Sequence, residues 1–308
     1  MVVIDDQYNG WRNFILPIAH LDGLVMDAVL ATTAFHYYSN FGETVYKPIS
    51  HYVQAIHKLG QRRHLLAHDV GETQRVVLAI LVLLVTIEVS GLSDFPIIFK
   101  LLQSALDACD SEDVLYVGEF GQFLRREIQK YMSSSAFVPN LLTSVRLRVC
   151  AAPFLSQSEG VKVSNSTTAQ GFESLAYYLE LHPKYRFSLS VYLDLGRQAQ
   201  AIYLKRATAG PANLILIDQV EKFKDTLVSL GPSPLGHHVL LWAVFIVASE
   251  SSKVEHQRFF YEILLSHSKR NGWANLSKAL HYLRRIWSRA SGESWTLLLP
   301  ASCFFITT

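Results

Sequence analysis

The chain has 308 residues, half of them hydrophobic and 18% charged, with Lys and Arg outnumbering Asp and Glu by only 28 to 26. Those figures exclude a disordered tail, provide for one large or two smaller buried cores, and leave no global field that would draw nucleic acid or acidic lipid. A partner has to be found through local features.

At the N-terminus, MVVIDDQYNGW carries two acids and no basic region ahead of a long apolar run, which does not suit a secretory signal. Cys109, Cys150 and Cys303 are far apart, odd in number and without CxxC spacing, which argues against a disulfide framework and fits a reducing compartment. The sequons at Asn165 and Asn275 therefore read as chance matches.

Helical spacing dominates from there on. Asp22 is placed to cap a helix in which Leu24, Ala28, Ala31 and Phe35 share a face, ending near Gly42. Tyr46, Ile49, Val53 and Ile56 follow at steps of three and four, with Pro48 in the first turn and Gly60 as the stop. Further helices are predicted over 73–90, 95–109 and 113–132. From 133 to 171 the character changes: a serine run, Pro139, Pro153 and the tract SQSEGVKVSNSTTAQG predict a long irregular connection. Helical patterning returns at 171–181 and 185–206, breaks at Thr208-Ala-Gly-Pro-Ala and again at Gly231-Pro-Ser-Pro-Leu-Gly236, and resumes at 237–251, 253–271 and 274–289. Neither Asn9-Gly10 nor Asn271-Gly272 separates two alternating runs, so no hairpin is predicted. The expected fold is all-α: one domain over 1–308, a single large bundle or array of roughly ten or more helices.

Two runs raise the question of a membrane. Val76–Ile87 (VVLAILVLLVTI) is the most apolar, and Leu240–Ser249 ends at Glu250. Both fall short of the roughly 20 residues a bilayer needs, and both read as helices buried on all sides in a protein core.

No GxxxxGK[ST], GxGxxG or GxSxG motif is present, so an enzyme of a common class is not indicated. His64 and His68 in HLLAH have the spacing for a shared metal, with Asp69 near, but the Glu of HExxH is missing and Arg62 and Arg63 adjoin, so the pair reads as a solvated helix end. His237-His238 reads as an exposed pair opening a helix, and His20 and His36 as hydrogen-bonded core histidines. Glu88 and Glu250 each close a strongly apolar helix and need a cationic or hydrogen-bonding partner, for which Arg12, Arg75 and Arg258 are the nearest by position. A buried ion pair fixing helix register is the favoured reading over a carboxylate of raised pKa in a cavity.

Residues in the C-terminal third, LLWAVFIVASES (240–251), Arg258, Gly272-Trp-Ala-Asn275, KALHYLRRIW (278–287) and Trp295, resemble the end of the fungal-specific transcription factor domain, the regulatory region of zinc binuclear cluster factors. Trp11-Arg12, Pro17, the helix MDAVLATTAFHYY (26–38), Glu72-Thr73 and Thr86-Ile-Glu-Val-Ser-Gly91 are similar to its earlier landmarks, in order. Physically, Trp242, Phe245 and Trp287 would set how neighbouring helices interlock, Gly272 would permit a left-handed turn, and Asn275 would cap the next helix.

The resemblance implies a nuclear, transcription-regulatory domain that works through a small-molecule effector, homo- or heterodimer contacts, or coactivator contacts. The six-cysteine, two-zinc DNA reader usual in the family has no counterpart here, and the resemblance starts by about residue 8. No zinc, no other cofactor, no specific DNA binding and no catalytic residue are expected of this chain. The alternative is a small-molecule-binding helical protein or enzyme with a cavity lined by Tyr37, Tyr38, Trp242 and Phe245. Lys184, Arg186, Arg197, Lys205 and Arg206 are read as a solvated basic surface, and the apolar end LLLPASCFFITT is expected to pack on the core.

Overall fold

Asp22 turns its carboxylate back onto the chain, where Oδ1 accepts the N–H groups of Leu24 (2.8 Å) and Val25 (3.3 Å). Those donors have no partner inside a helix, so the contact starts one. A computed structural model describes residues 4, 6–41, 47–62, 69–108, 112–131, 173–209, 215–231, 237–290 and 295–298. Among them every regular element is helical and none is a strand.

The described residues group into two compact units: Met1–Ile128 with Asn271–Asn275, and Gln129–Arg270 with Leu276–Thr308. In the first, a π-turn over Trp11–Ile15 leads into α1 (Leu16–Leu21), α2 (Gly23–Phe41), α3 (Pro48–Arg62), α4 (Val70–Ser90), α5 (Phe95–Asp107), α6 (Glu112–Leu115) and α7 (Gly118–Tyr131), whose last three residues pass into the second unit. Pro48 stands at the first position of α3, where its missing N–H costs nothing.

Helix α4 is the centre of this unit. Asp69 caps it by accepting the Gly71 N–H at 2.8 Å, and Gly91, at φ +68°, ends it in the left-handed region. Every residue from Val76 to Val89 is buried, between α2, α3 and α5. The Thr32 and Thr86 hydroxyls meet at 2.6 Å and tie α2 to α4, while both also bond to backbone carbonyls of their own helices.

This helix corrects the membrane reasoning. At 21 residues α4 is long and apolar enough to cross a bilayer, because the turns beside the twelve-residue run continue the helix. Length therefore does not distinguish it from a core helix; 72% of its most apolar stretch lies inside the protein.

The second unit contains α8 (Glu173–Leu181), a 3₁₀ turn (Pro183–Tyr185), α9 (Arg186–Ala209), α10 (Ile217–Ser229), a second 3₁₀ turn (His237–Leu240), α11 (Leu241–Ser249), α12 (Val254–Asn271), α13 (Ala274–Trp287) and a last 3₁₀ turn (Trp295–Leu298). All nine residues of α11 are buried. Tyr203 of α9 meets Trp242 edge-on, Phe245 meets Trp295 likewise, and the Trp287 indole donates to the Ala248 carbonyl at 2.8 Å. The stretch LLWAVFIVASE is therefore a core helix surrounded by aromatic side chains.

Two elements have no sequence prediction. Helix α10 lies between the two breaks at 208–212 and 231–236, with Val220, Phe223 and Leu227 buried at steps of three and four. The turn and helix over Trp11–Leu21 precede the first predicted one. The predicted connection over 133–171, His64, His68 and the three cysteines lie outside the described residues, as does LLLPASCFFITT apart from Leu297 and Leu298.

Candidate functional site

Burial of charge singles out Glu250. It follows α11, whose nine residues are apolar except for Ser249, and only 2% of its side chain is exposed. Oε1 accepts from Nε of Arg206 at 2.6 Å and from the Trp295 indole at 2.5 Å, while Oε2 accepts from Nη2 of Arg206 at 2.6 Å. The bidentate fork satisfies both carboxylate oxygens, and the indole adds a third donor from the chain end.

The sequence anticipates a buried ion pair here but offers the wrong cation. Arg12, Arg75 and Arg258 are superseded by Arg206, which stands on α9 beside the buried Ile202 and Tyr203 and is itself buried. In sequence Arg206 reads as part of a solvated basic surface, of which Lys184, Arg186, Arg197 and Lys205 are exposed. An isolated guanidinium cannot be placed in a core at tolerable cost, so its burial is a consequence of the carboxylate opposite. Glu88 is buried in the last turn of α4.

Arg75 serves a second network. Asp22 Oδ2 lies 2.6 Å from Arg62 and 3.4 Å from Arg75, and Glu72 lies 2.8 Å from Arg75 and 3.3 Å from Arg62. Burial would raise the Asp22 carboxyl, but the hydrogen bond from Arg62, the N–H groups of Leu24 and Val25, and the charge of Arg62 together lower it. Nearby, Asp27 on α2 holds Lys58 at 2.6 Å and His51 at 3.3 Å, both on α3. Tyr52 on the same helix donates to Asp94 at 3.0 Å, and burial followed by that hydrogen bond pushes its phenol up.

On α10, Glu221 gathers Lys224 at 2.8 Å, Lys253 at 3.7 Å and His256 at 2.5 Å. The hydrogen bond from Lys224, then that from His256, holds its carboxyl down at about 2. Beneath it Phe223 meets Phe260, so α10 is fastened to α12 by one polar and one aromatic contact.

The stretch Gly272-Trp-Ala-Asn275, with Asn271 before it, belongs to the first unit and makes close backbone contacts there. Gly272 has φ +63°, and a Cβ there would collide with the Asn40 side chain, whose Nδ2 donates to the Asn271 carbonyl at 3.3 Å. Gly91 similarly faces Ala274 and Asn275. The left-handed turn expected at Gly272 is present. Asn275, however, is not the cap: it is the second residue of α13, buried, with Oδ1 lacking a hydrogen-bond partner. Trp273 occupies the position before the helix, where a cap would stand.

His20 and His36 are exposed, not core residues, because α1 and the end of α2 turn those positions outward; His36 lies 3.4 Å from Asn40 Nδ2. His238, in the turn opening α11, is half-buried. Tyr37 and Tyr38 are about half-exposed on α2, whereas Trp242 and Phe245 are buried in α11, so the four aromatics do not share one environment. Among the described residues no cluster of three or more His, Cys, Asp or Glu is arranged to hold a metal.

These are the features of an all-helical protein whose polar groups are spent on fastening helices to each other. The family model of the fungal specific transcription factor domain matches residues 1–109 and 162–299, and the chain belongs to that family. The stretch the match omits, 110–161, overlaps the predicted irregular connection. Neither the curated proteins nor the solved structures contain a significant match. The family's role is regulation of fungal transcription, and it is not an enzyme family.

Proposed function

We propose that this chain modulates transcription through contacts, with a small-molecule effector, a dimer partner or a coactivator, and acts in the nucleus without reading DNA sequence itself. Family membership over most of the chain carries the reading. Its polar clusters support it: both oxygens of the buried Glu250 carboxylate are engaged, by the Arg206 guanidinium and the Trp295 indole, so this charge serves packing. The sequence holds three cysteines, half of the six needed to ligate a two-zinc cluster.

The test is to fuse the chain to an unrelated sequence-specific DNA-binding domain in a fungal reporter strain. Reporter output should differ clearly from that of the DNA-binding domain alone, in either direction. Identical output, or tight sequence-dependent DNA binding by the unfused chain, would refute the reading.

A further inference from the structure

Charge is distributed unevenly along this nearly neutral chain. Residues 254–290 contain seven Lys and Arg against Glu255 and Glu262, a net +5 in a chain whose total is +2, so the remainder sums to −3. The excess is concentrated on α13 and its end: no Asp or Glu occurs between Ala274 and Ala290, while Lys278, Arg284 and Arg285 are all exposed. Lys278 and Arg285 are two turns apart on one face, with His281 between them, which gives a cationic stripe roughly 10 Å long.

Both arginines lie against aromatic rings. The Arg284 guanidinium lies 5.1 Å from the centre of the Tyr261 ring on α12 and donates to that tyrosine's hydroxyl. Arg285 lies 5.7 Å from the centre of the Tyr282 ring. A guanidinium stacked on an aromatic face retains its charge and free donors while losing rotamer freedom in advance, so less entropy remains to be lost when a carboxylate arrives.

We propose that the outward face of α13 is a docking surface for an acidic segment of a partner protein. The stripe is one helix wide and two turns long, dimensions that suit a short run of Asp and Glu side chains. Nucleic acid fits less well: α12, which adjoins α13 through Tyr261–Trp287 and Ser268–Ser277, exposes Glu255 and Glu262 among Arg258, Lys269 and Arg270, so the positive surface of α13 does not continue unbroken across both helices as a duplex backbone would require. The inference rests on the regulatory reading and names the chemistry of one partner.

The test is fluorescence anisotropy with a labelled oligoglutamate peptide, an oligoglutamine peptide of equal length and a short DNA duplex, titrated with the full chain. Oligoglutamate should bind, more weakly as salt rises, and oligoglutamine should not. The pair Lys278→Glu and Arg285→Glu should weaken binding by about tenfold or more, whereas Lys184→Glu with Arg186→Glu, an equal change of net charge at other exposed positions, should change it less than about twofold. Should the first pair melt below wild type, Lys278→Gln with Arg285→Gln is read in its place, with the same ordering expected. Equal losses in both pairs, no salt-sensitive binding of oligoglutamate, or duplex DNA bound more tightly than oligoglutamate would each overturn the proposal. Reporter output and peptide binding are separate readouts, so failure of one does not mimic failure of the other.

Discussion

Glu250 and Arg206 show how much one buried pair can matter. Each is buried and each answers the other's charge, so deleting either leaves an uncompensated ion in the core. Arg206→Met should destabilise the protein by about 3–5 kcal/mol in urea unfolding. The double variant Arg206→Met with Glu250→Gln, which keeps an acceptor for the Trp295 indole, should show a coupling of about 2–3 kcal/mol between the sites. Additive losses would mean that the fork does not exist in solution. Gly272 presents a different kind of constraint, set by backbone and by space: its φ is +63° and the Asn40 side chain occupies the position a Cβ would take. Gly272→Ala should cost about 1–2 kcal/mol from the left-handed backbone alone, and more from the collision. In an Asn40→Ala background the penalty should shrink toward the backbone part, as chemical denaturation would register.

Among the elements, the start of α2 illustrates coupling between a cap and an ion network. Asp22 closes the helix with one oxygen and binds Arg62 of α3 and Arg75 of α4 with the other. Its carboxyl is lowered in the folded protein, so its contribution to stability is present above the unfolded value of about 3.9 and is lost as pH falls through the folded value. Asp22→Asn, which can still cap but carries no charge, should be less stable than wild type at neutral pH. The two should converge as pH is lowered below about 4, and a gap that stays constant across that range would exclude the charge as the cause. The same scale explains the helix that sequence patterning left unassigned. Val220, Phe223 and Leu227 have the right spacing, but α10 is bounded on both sides by Gly and Pro, and those breaks mask a short amphipathic stretch between them. It packs on α9, where Gln198 donates to Thr226, and on α12 through Glu221 with His256 and Phe223 with Phe260, contacts that no local pattern announces.

For the molecule as a whole, two helices have no polar side: α4 over Val76–Val89 in one unit and α11 in the other. An element buried all round opens only when its surroundings do, so amides of these two segments should be the slowest to exchange with deuterium. Peptide-resolved hydrogen exchange checks this, and fast exchange across Val76–Ile87 would contradict the core placement of α4. Length does not tell α4 from a membrane-spanning helix, since its 21 residues would suffice for either.

Sequence alone determined the class of structure and the family. Helical periodicity and caps are local properties written in neighbouring residues, so Asp22, Pro48 and Gly272 could be placed in advance at a helix start, a first turn and a left-handed stop. The need of Glu250 for a partner was equally legible, because a carboxylate that ends a strongly apolar helix is carried into the core with it, and an unpaired buried charge is costly. The identity of that partner was not. Arg206 is 44 residues away and Trp295 is 45, and the packing of α9 against α11 selects them from among many cations and donors. The same holds for His36, exposed despite apolar neighbours in sequence, and for Asn275, drawn inside its helix instead of capping it. Local order follows from adjacency along the chain, whereas pairing across the core follows from which helix faces meet, and only the tertiary structure decides that.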